Sequence, residues 1–87
     1  MLQCKKRNYN HYNCIFYNGE NSADVIKFLD ENKIYFEFEF DNAVEIVITM
    51  IGFDYGKLRK NIYIVSEAEG CYKILSAKEF DEEYEYL

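Results

Sequence analysis

The sequence predicts a small α+β fold: an antiparallel sheet of four to five strands with two helices, in the order β-α-β-β-β-β-α. Three observations carry that expectation. Residues 34–40 (IYFEFEF) alternate in character at every position, which marks a strand with one covered face. Val25, Ile26, Phe28 and Leu29 recur at helical spacing, which marks an amphipathic helix. Asn18-Gly19, Asp41-Asn42 and Glu69-Gly70 separate the periodic runs, and such residues tolerate the dihedrals of turns.

Taken in order, residues 12–17 (YNCIFY) read as the first strand, stopped by Asn18-Gly19. Asn21 or Ser22 is placed to cap a helix running through Asn32, and Asp24 suits its positive first turn. In the next strand, Phe36, Phe38 and Phe40 point one way and Tyr35, Glu37 and Glu39 the other. After the turn at Asp41-Asn42, residues 44–51 (VEIVITMI) pair back as a hairpin. Val44, Ile46, Ile48 and Met50 are its expected core face. Residues 52–60 read as a loop punctuated by Gly52 and Gly56. Residues 61–66 (NIYIVS) and 71–75 (CYKIL) form two more strands about the Glu69-Gly70 turn. Ser76-Ala77-Lys78-Glu79 matches a capping box, in which the Ser oxygen and the Glu carboxylate each take a free helix N–H. A short helix to about Tyr86 follows, with Phe80 and Tyr84 on one side. Both helices are expected on the same face of the sheet.

At 87 residues the chain has room for one domain, residues 1–87, and one core. Aromatic residues make up 18% of it, so even a short chain can bury a real core, and the composition is not that of a disordered segment. The net charge of −6 argues against non-specific attraction to nucleic acid or an anionic membrane. That charge is uneven. Lys5, Lys6 and Arg7 make a basic start; Glu79, Asp81, Glu82, Glu83 and Glu85 make an acidic end. Three cysteines, an odd number, argue against a disulfide framework. The first ten residues are polar and lack a secretion signal. No stretch approaches the roughly 20 apolar residues that cross a bilayer. The expectation is a cytoplasmic protein, read from Met1 as a complete small frame, with no membrane partner.

Catalytic and metal readings find little support. Cys4, His11, Cys14 and Cys71 include the residue types of a zinc site, but none of the close Cys pairs that usually hold one. Their plainer reading is that Cys14 and Cys71 are small core residues and that Cys4 lies in a loose N-terminus. His11 and Cys14 would need an orienting group and an oxyanion pocket to act as a nucleophile pair. The carboxylates fall on the hairpin's outer face and on the terminal helix, which are convex, solvated places. GFDYG at 52–56 matches no phosphate loop. The stretch KKRNYNHYN mixes basic and aromatic residues as single-strand binders do, yet the acidic remainder opposes such contact. No catalytic residue, metal or cofactor is assigned.

The acidic surface is the feature that points to a partner. Glu37, Glu39 and Asp41 alternate along one strand, with Glu45 across the hairpin. Alternate positions lie roughly 6.6 Å apart, near two steps of roughly 3.4 Å along one DNA strand. Such a row can imitate phosphates; the plainer reading is a charged outer face that keeps a half-buried sheet soluble. The candidate partner-binding set is Tyr35, Glu37, Glu39, Asp41, Glu45, Tyr63, Glu79, Asp81, Glu82, Glu83 and Glu85, with tyrosines as interface anchors.

Several short motifs occur in a telling order: Tyr17-Asn18-Gly19-Glu20-Asn21, Phe28-Leu29, Thr49-Met50-Ile51-Gly52, Tyr63-Ile64-Val65, Glu69-Gly70-Cys71-Tyr72 and Phe80-Asp81-Glu82-Glu83-Tyr84-Glu85. With the basic start, this order resembles a family of small accessory proteins of tailed phages and prophages, across most of the chain. The family often carries Gly-Asp before its Tyr-Ile strand, where this chain has Asn61-Ile62; Asn61 can take the left-handed turn that Gly would take. The resemblance implies a phage-encoded protein without enzymatic activity. The expected function is inhibition of a host defence nuclease, in the manner of anti-CRISPR proteins, through the acidic surface. The alternative is an accessory or assembly protein that self-associates or docks on a phage partner, through a sheet edge or the C-terminal aromatic helix.

Overall fold

The alternating strands and the helical stripe assemble into an α+β fold whose order is ββαββββαβ. The computed structural model of the chain describes residues 2–6, 11–41, 45–50 and 57–86. Its elements are β1 (Leu2–Lys6), β2 (His11–Tyr17), α1 (Ser22–Glu31), β3 (Phe36–Asp41), β4 (Glu45–Met50), β5 (Ile62–Ala68), β6 (Cys71–Ser76), α2 (Ala77–Glu83) and β7 (Tyr84–Tyr86). Five strands form one sheet in the order β6-β5-β2-β1-β7, and β3 and β4 form a separate two-stranded hairpin. Every pairing is antiparallel. Among the described residues, no helix is long and apolar enough to cross a membrane.

Two strands lie outside the expected order. The basic start is not a loose arm: β1 pairs with β2 on one side and β7 on the other. The terminal helix stops at Glu83, and Tyr84, with extended dihedrals, opens β7. The spacing of Phe80 and Tyr84 misled here, because a helix followed by a strand brings the two rings together as a continuous helix would. Their centroids are 5.5 Å apart.

The helices cover opposite faces of the sheet rather than one. Ile15, Tyr17, Ile64 and Tyr72 meet Val25, Phe28 and Leu29 of α1, with Ile48 and Met50 of β4, in a first core. Cys4, Cys14, Val65 and Leu75 meet Phe80 and Tyr84 in a second. The cause lies in β2 and β5. Cys14-Ile15 and Ile64-Val65 put apolar side chains on both faces in succession, so each face needs a cover.

The turns follow their residue types. Asn18 Oδ1 accepts from the backbone N–H groups of Glu20 at 2.7 Å and Asn21 at 3.1 Å, and Gly19 takes φ +90°. Asn21 is the N-cap residue, but its side chain does not cap α1. It turns back instead, and its Nδ2 donates to the Phe16 carbonyl at 2.7 Å. Asn61 adopts φ +65°, the left-handed turn expected of it, and its N–H donates to the Tyr17 carbonyl at 2.6 Å. The capping box of α2 is complete in both directions.

Candidate functional site

The hairpin is seated on the first core mainly by one strand, β4. Ile48 and Met50 of β4 are 1% and 3% exposed, and Ile46 packs against the same core. On β3, Phe36 reaches that core, but Phe38 and Phe40 are 51% and 64% exposed. Register explains the contrast. Phe38 lies opposite Ile48 and Phe40 opposite Ile46, so they share the core-facing side. β4 lies over the core and β3 overhangs beyond it. Val44, expected beside them on the core face, lies outside the described residues.

The other side of β3 carries the acidic row. Glu37 and Glu39 are both exposed, and their cross-strand neighbours are Thr49 and Val47, neither of them a cation. Asp41 pairs in register with Glu45, an acid opposite an acid; the side chains of those two lie outside the described residues. Lys57 bridges to the far side of Thr49, two strand spacings from Glu37, roughly 10 Å away. Two ion pairs between described residues, Lys27–Glu31 and Lys73–Glu67, lie elsewhere. Tyr35, just before β3, is 79% exposed. Tyr35, Glu37, Glu39, Asp41 and Glu45 are therefore gathered on one hairpin.

The second acidic cluster is not part of this surface. Asp81, Glu82, Glu83 and Glu85 are exposed, but they follow α2 and β7, on the second core. The register of β7 against β1 places Glu85 opposite Lys5 and Tyr84 opposite Lys6. The last strand and the basic start, remote in sequence, thus lie side by side. Glu79 has a structural task. Its carboxylate accepts from the Ser76 N–H at 3.0 Å while its own N–H donates to Ser76 Oγ at 3.2 Å. The Ser76 backbone N–H, followed by the Ser76 side chain, holds the Glu79 carboxyl below the usual glutamate range. Tyr63 does not flank the acidic row either. It is half-buried and stacks on Phe80 in the second core.

The cysteines and the histidine are not assembled into one site. Cys4 and Cys14 are fully buried on neighbouring strands, whereas His11 and Cys71 are exposed. His11 and Cys14 are three positions apart on β2, so they face opposite sides of it. Burial pushes both inner thiols above their ordinary value, away from the thiolate that metal binding and nucleophilic attack require. Among the described residues, no three His, Cys, Asp or Glu side chains are grouped to hold a metal ion.

Two concave surfaces among the described residues are open grooves. One of about 360 Å³ runs between α1 and β2, floored by Ile15, Phe16 and Phe28 and rimmed by Asp24, Lys27 and Glu31. Lys27 and Glu31 on that rim lie 3.9 Å apart. Another, about 760 Å³, opens at the start of α1 beside Glu20, Ile46 and Lys60. The segments KKRNYNHYN and GFDYG fall in whole or in part outside the described residues.

Strand β3, unpaired on one edge among the described residues, with acid on one side and two exposed phenylalanines on the other, is the site that sequence reasoning half found. The acids were legible from alternation. The exposed phenylalanines were not, because alternation says that a strand has an apolar face and not how much of that face the core covers. Compared with known proteins, the chain matches no family model, no curated protein and no solved structure.

Proposed function

We propose that this chain is a non-catalytic, phage-type binding protein that inhibits a host defence nuclease in the cytoplasm. Its acidic hairpin row would occupy the basic groove in which that nuclease holds nucleic acid. One observation carries the reading. The row at Glu37, Glu39, Asp41 and Glu45 has no cation opposite it in the hairpin register, whereas Glu85 of the acidic end lies opposite Lys5. An uncompensated row of one sign steers a partner of the other sign, and the association weakens with salt. Tyr35 beside the row supplies an aromatic contact. The alternative docking element, the C-terminal aromatic pair Phe80 and Tyr84, is spent on the second core, each residue being 1% exposed.

The test uses the immobilised full chain and its Glu37→Lys/Glu39→Lys variant as baits in nuclease-treated bacterial lysate. The wild-type chain should retain a nucleic-acid-binding enzyme that added DNA or raised salt releases, and the variant should not. Equal retention by both baits, or a captured enzyme that still binds DNA at full strength, would overturn the proposal.

A further inference from the structure

Among the described residues, strand β3 has a neighbour strand on one side only. β4 pairs with it from Phe36↔Met50 to Asp41↔Glu45 without a break in register, and its other edge meets no strand among the described residues. In an antiparallel pair the inter-strand bonds join alternate residues, so every second N–H and C=O of β3 is directed outward. Edge strands are ordinarily protected by Lys, Pro, a bulge or a covering element. Residues 36–41 (FEFEFD) contain no Lys and no Pro, and no bulge interrupts them. Phe38 and Phe40 leave half or more of their area in solvent.

The charges decide what can occupy this edge. A second copy of the chain is a poor fit. Residues opposed across a strand pair share a face, so any antiparallel register that opposes two or more phenylalanines of each copy also sets Glu against Glu. Centred on Phe38, for example, such a pairing puts Glu37 opposite Glu39 twice over, and like charges directly opposed destabilise a sheet. A complementary strand presents apolar residues to Phe36, Phe38 and Phe40 and cations to Glu37 and Glu39.

We propose that the outer edge of β3 accepts, as an added strand, an extended partner segment in which apolar residues alternate with Lys or Arg. Backbone bonds along the edge give affinity, and the alternate side chains give specificity. The inference rests on the acidic row as the binding surface and adds the backbone edge and the pattern of the partner.

Capped peptides test it against the full-length, isotope-labelled chain, with anisotropy for affinity and amide shifts for location. The first peptide alternates valine and lysine. The second has the same composition with its lysines and valines in separate blocks. Two more alternate and are N-methylated, one on each of the two opposite sets of amides. The alternating peptide should bind at least about tenfold tighter than the block peptide, a difference of about 1.4 kcal/mol. Its shifts should fall on residues 36–41, and one N-methylated form should lose binding while the other keeps it. The Glu37→Lys/Glu39→Lys variant should prefer a peptide alternating valine and glutamate. Equal binding by both N-methylated forms or by the block peptide overturns strand addition while leaving the acidic row as a binding face. Unchanged binding after charge reversal overturns the acidic row as well. No binding by the alternating peptide overturns the proposal, and because N-methylation is made on the peptide, that result needs no variant to fold.

Discussion

The rings of Tyr63 and Phe80 lie parallel, with centroids 3.9 Å apart and planes 8° apart. Phe16 leans on Tyr63 from the neighbouring strand at 4.9 Å and 55°, and Tyr84 extends the stack beyond Phe80. This column holds α2 to the sheet. Removing a large ring from such a place leaves a cavity that the neighbours fill only in part. Tyr63→Ala should therefore cost about 3 kcal/mol, read as a lower urea midpoint, whereas Tyr63→Phe, which keeps the stack, should cost far less. The folded fraction of Tyr63→Ala should still bind the alternating lysine peptide as the wild type does. A Tyr63→Ala variant of normal stability would show that the column does not anchor α2.

Tyr84 carries an unmet polar group. The residue is 1% exposed and its hydroxyl has no hydrogen-bond partner among the described residues. A buried, unsatisfied group of this kind costs about 1–3 kcal/mol. Tyr84→Phe should thus leave the fold unharmed or make it more stable by about 1 kcal/mol. Burial first, then the negative charge of Glu67, pushes the Tyr84 hydroxyl up to about 12. A raised value in the folded state means that the neutral form is the one the fold favours. That contribution is complete below the ordinary tyrosine value of 10.0 and is lost as pH rises toward 12. Tyr84→Phe should unfold less readily over that alkaline window in a circular-dichroism titration. Identical alkaline curves for the two proteins would count against the assignment.

Local signals were readable and distant ones were not. The alternation from Ile34 to Phe40 located β3, the stripe of Val25, Phe28 and Leu29 located α1, and Ser76 with Glu79 located the start of α2. Each depends on residues within a few positions of one another. β1 escaped because Lys5 and Lys6 resemble a solvated arm, and what makes the segment a strand is pairing with β2 on one side and with Tyr84–Tyr86, at the other end of the chain, on the other. The same limit applies to the tyrosines. Tyr35 and Tyr63 both occur in alternating runs, yet one is 79% exposed and the other stacks in a core, because burial depends on which helix covers which face. Acidic residues at Glu37 and Glu39 could be placed on an outer face from sequence, but whether a cation lay opposite them required the register.

Glu79 makes the stability of α2 depend on pH. Its carboxyl titrates below the ordinary glutamate value of 4.5, so the folded state favours the ionised form. The sign follows: the contribution is present above 4.5 and is lost as pH falls through the lower folded value. Glu79→Gln keeps an oxygen that can accept from the Ser76 N–H but removes the proton equilibrium. At neutral pH the wild type should be at least as stable as the variant, and the gap between their urea midpoints should close as pH drops below 4.5. Ser76→Ala should lower stability by about 1 kcal/mol at neutral pH, as loss of an N-cap does. A gap between the wild type and Glu79→Gln that stays constant with pH would show that the carboxylate does not take part in the cap.

Asn32 joins three parts of the fold, and the cost of replacing it should reveal that. It is 7% exposed at the end of α1. Its Nδ2 donates to the Phe28 carbonyl at 2.8 Å, its Oδ1 accepts from Asn13 Nδ2 of β2 at 3.0 Å, and its backbone carbonyl accepts from the Gly70 N–H of the β5–β6 turn at 3.0 Å. Lys33 and Gly70 beside these bonds take φ of +60° and +75°, the left-handed region of a turn. Asn32→Ala keeps the backbone bond but removes both side-chain bonds and strands the Asn13 amide. It should cost about 2 kcal/mol. Asn32→Asp retains an acceptor for Asn13 but sets a carboxylate against the Phe28 carbonyl, so at neutral pH it should be less stable than Asn32→Ala. In acid its protonated carboxyl can again donate to Phe28, and the order of the two variants should reverse. Urea midpoints at both pH values check the order, and faster amide exchange at Gly70 in both variants checks the location. Near wild-type stability in Asn32→Ala would mean that the Gly70 bond alone closes the helix end.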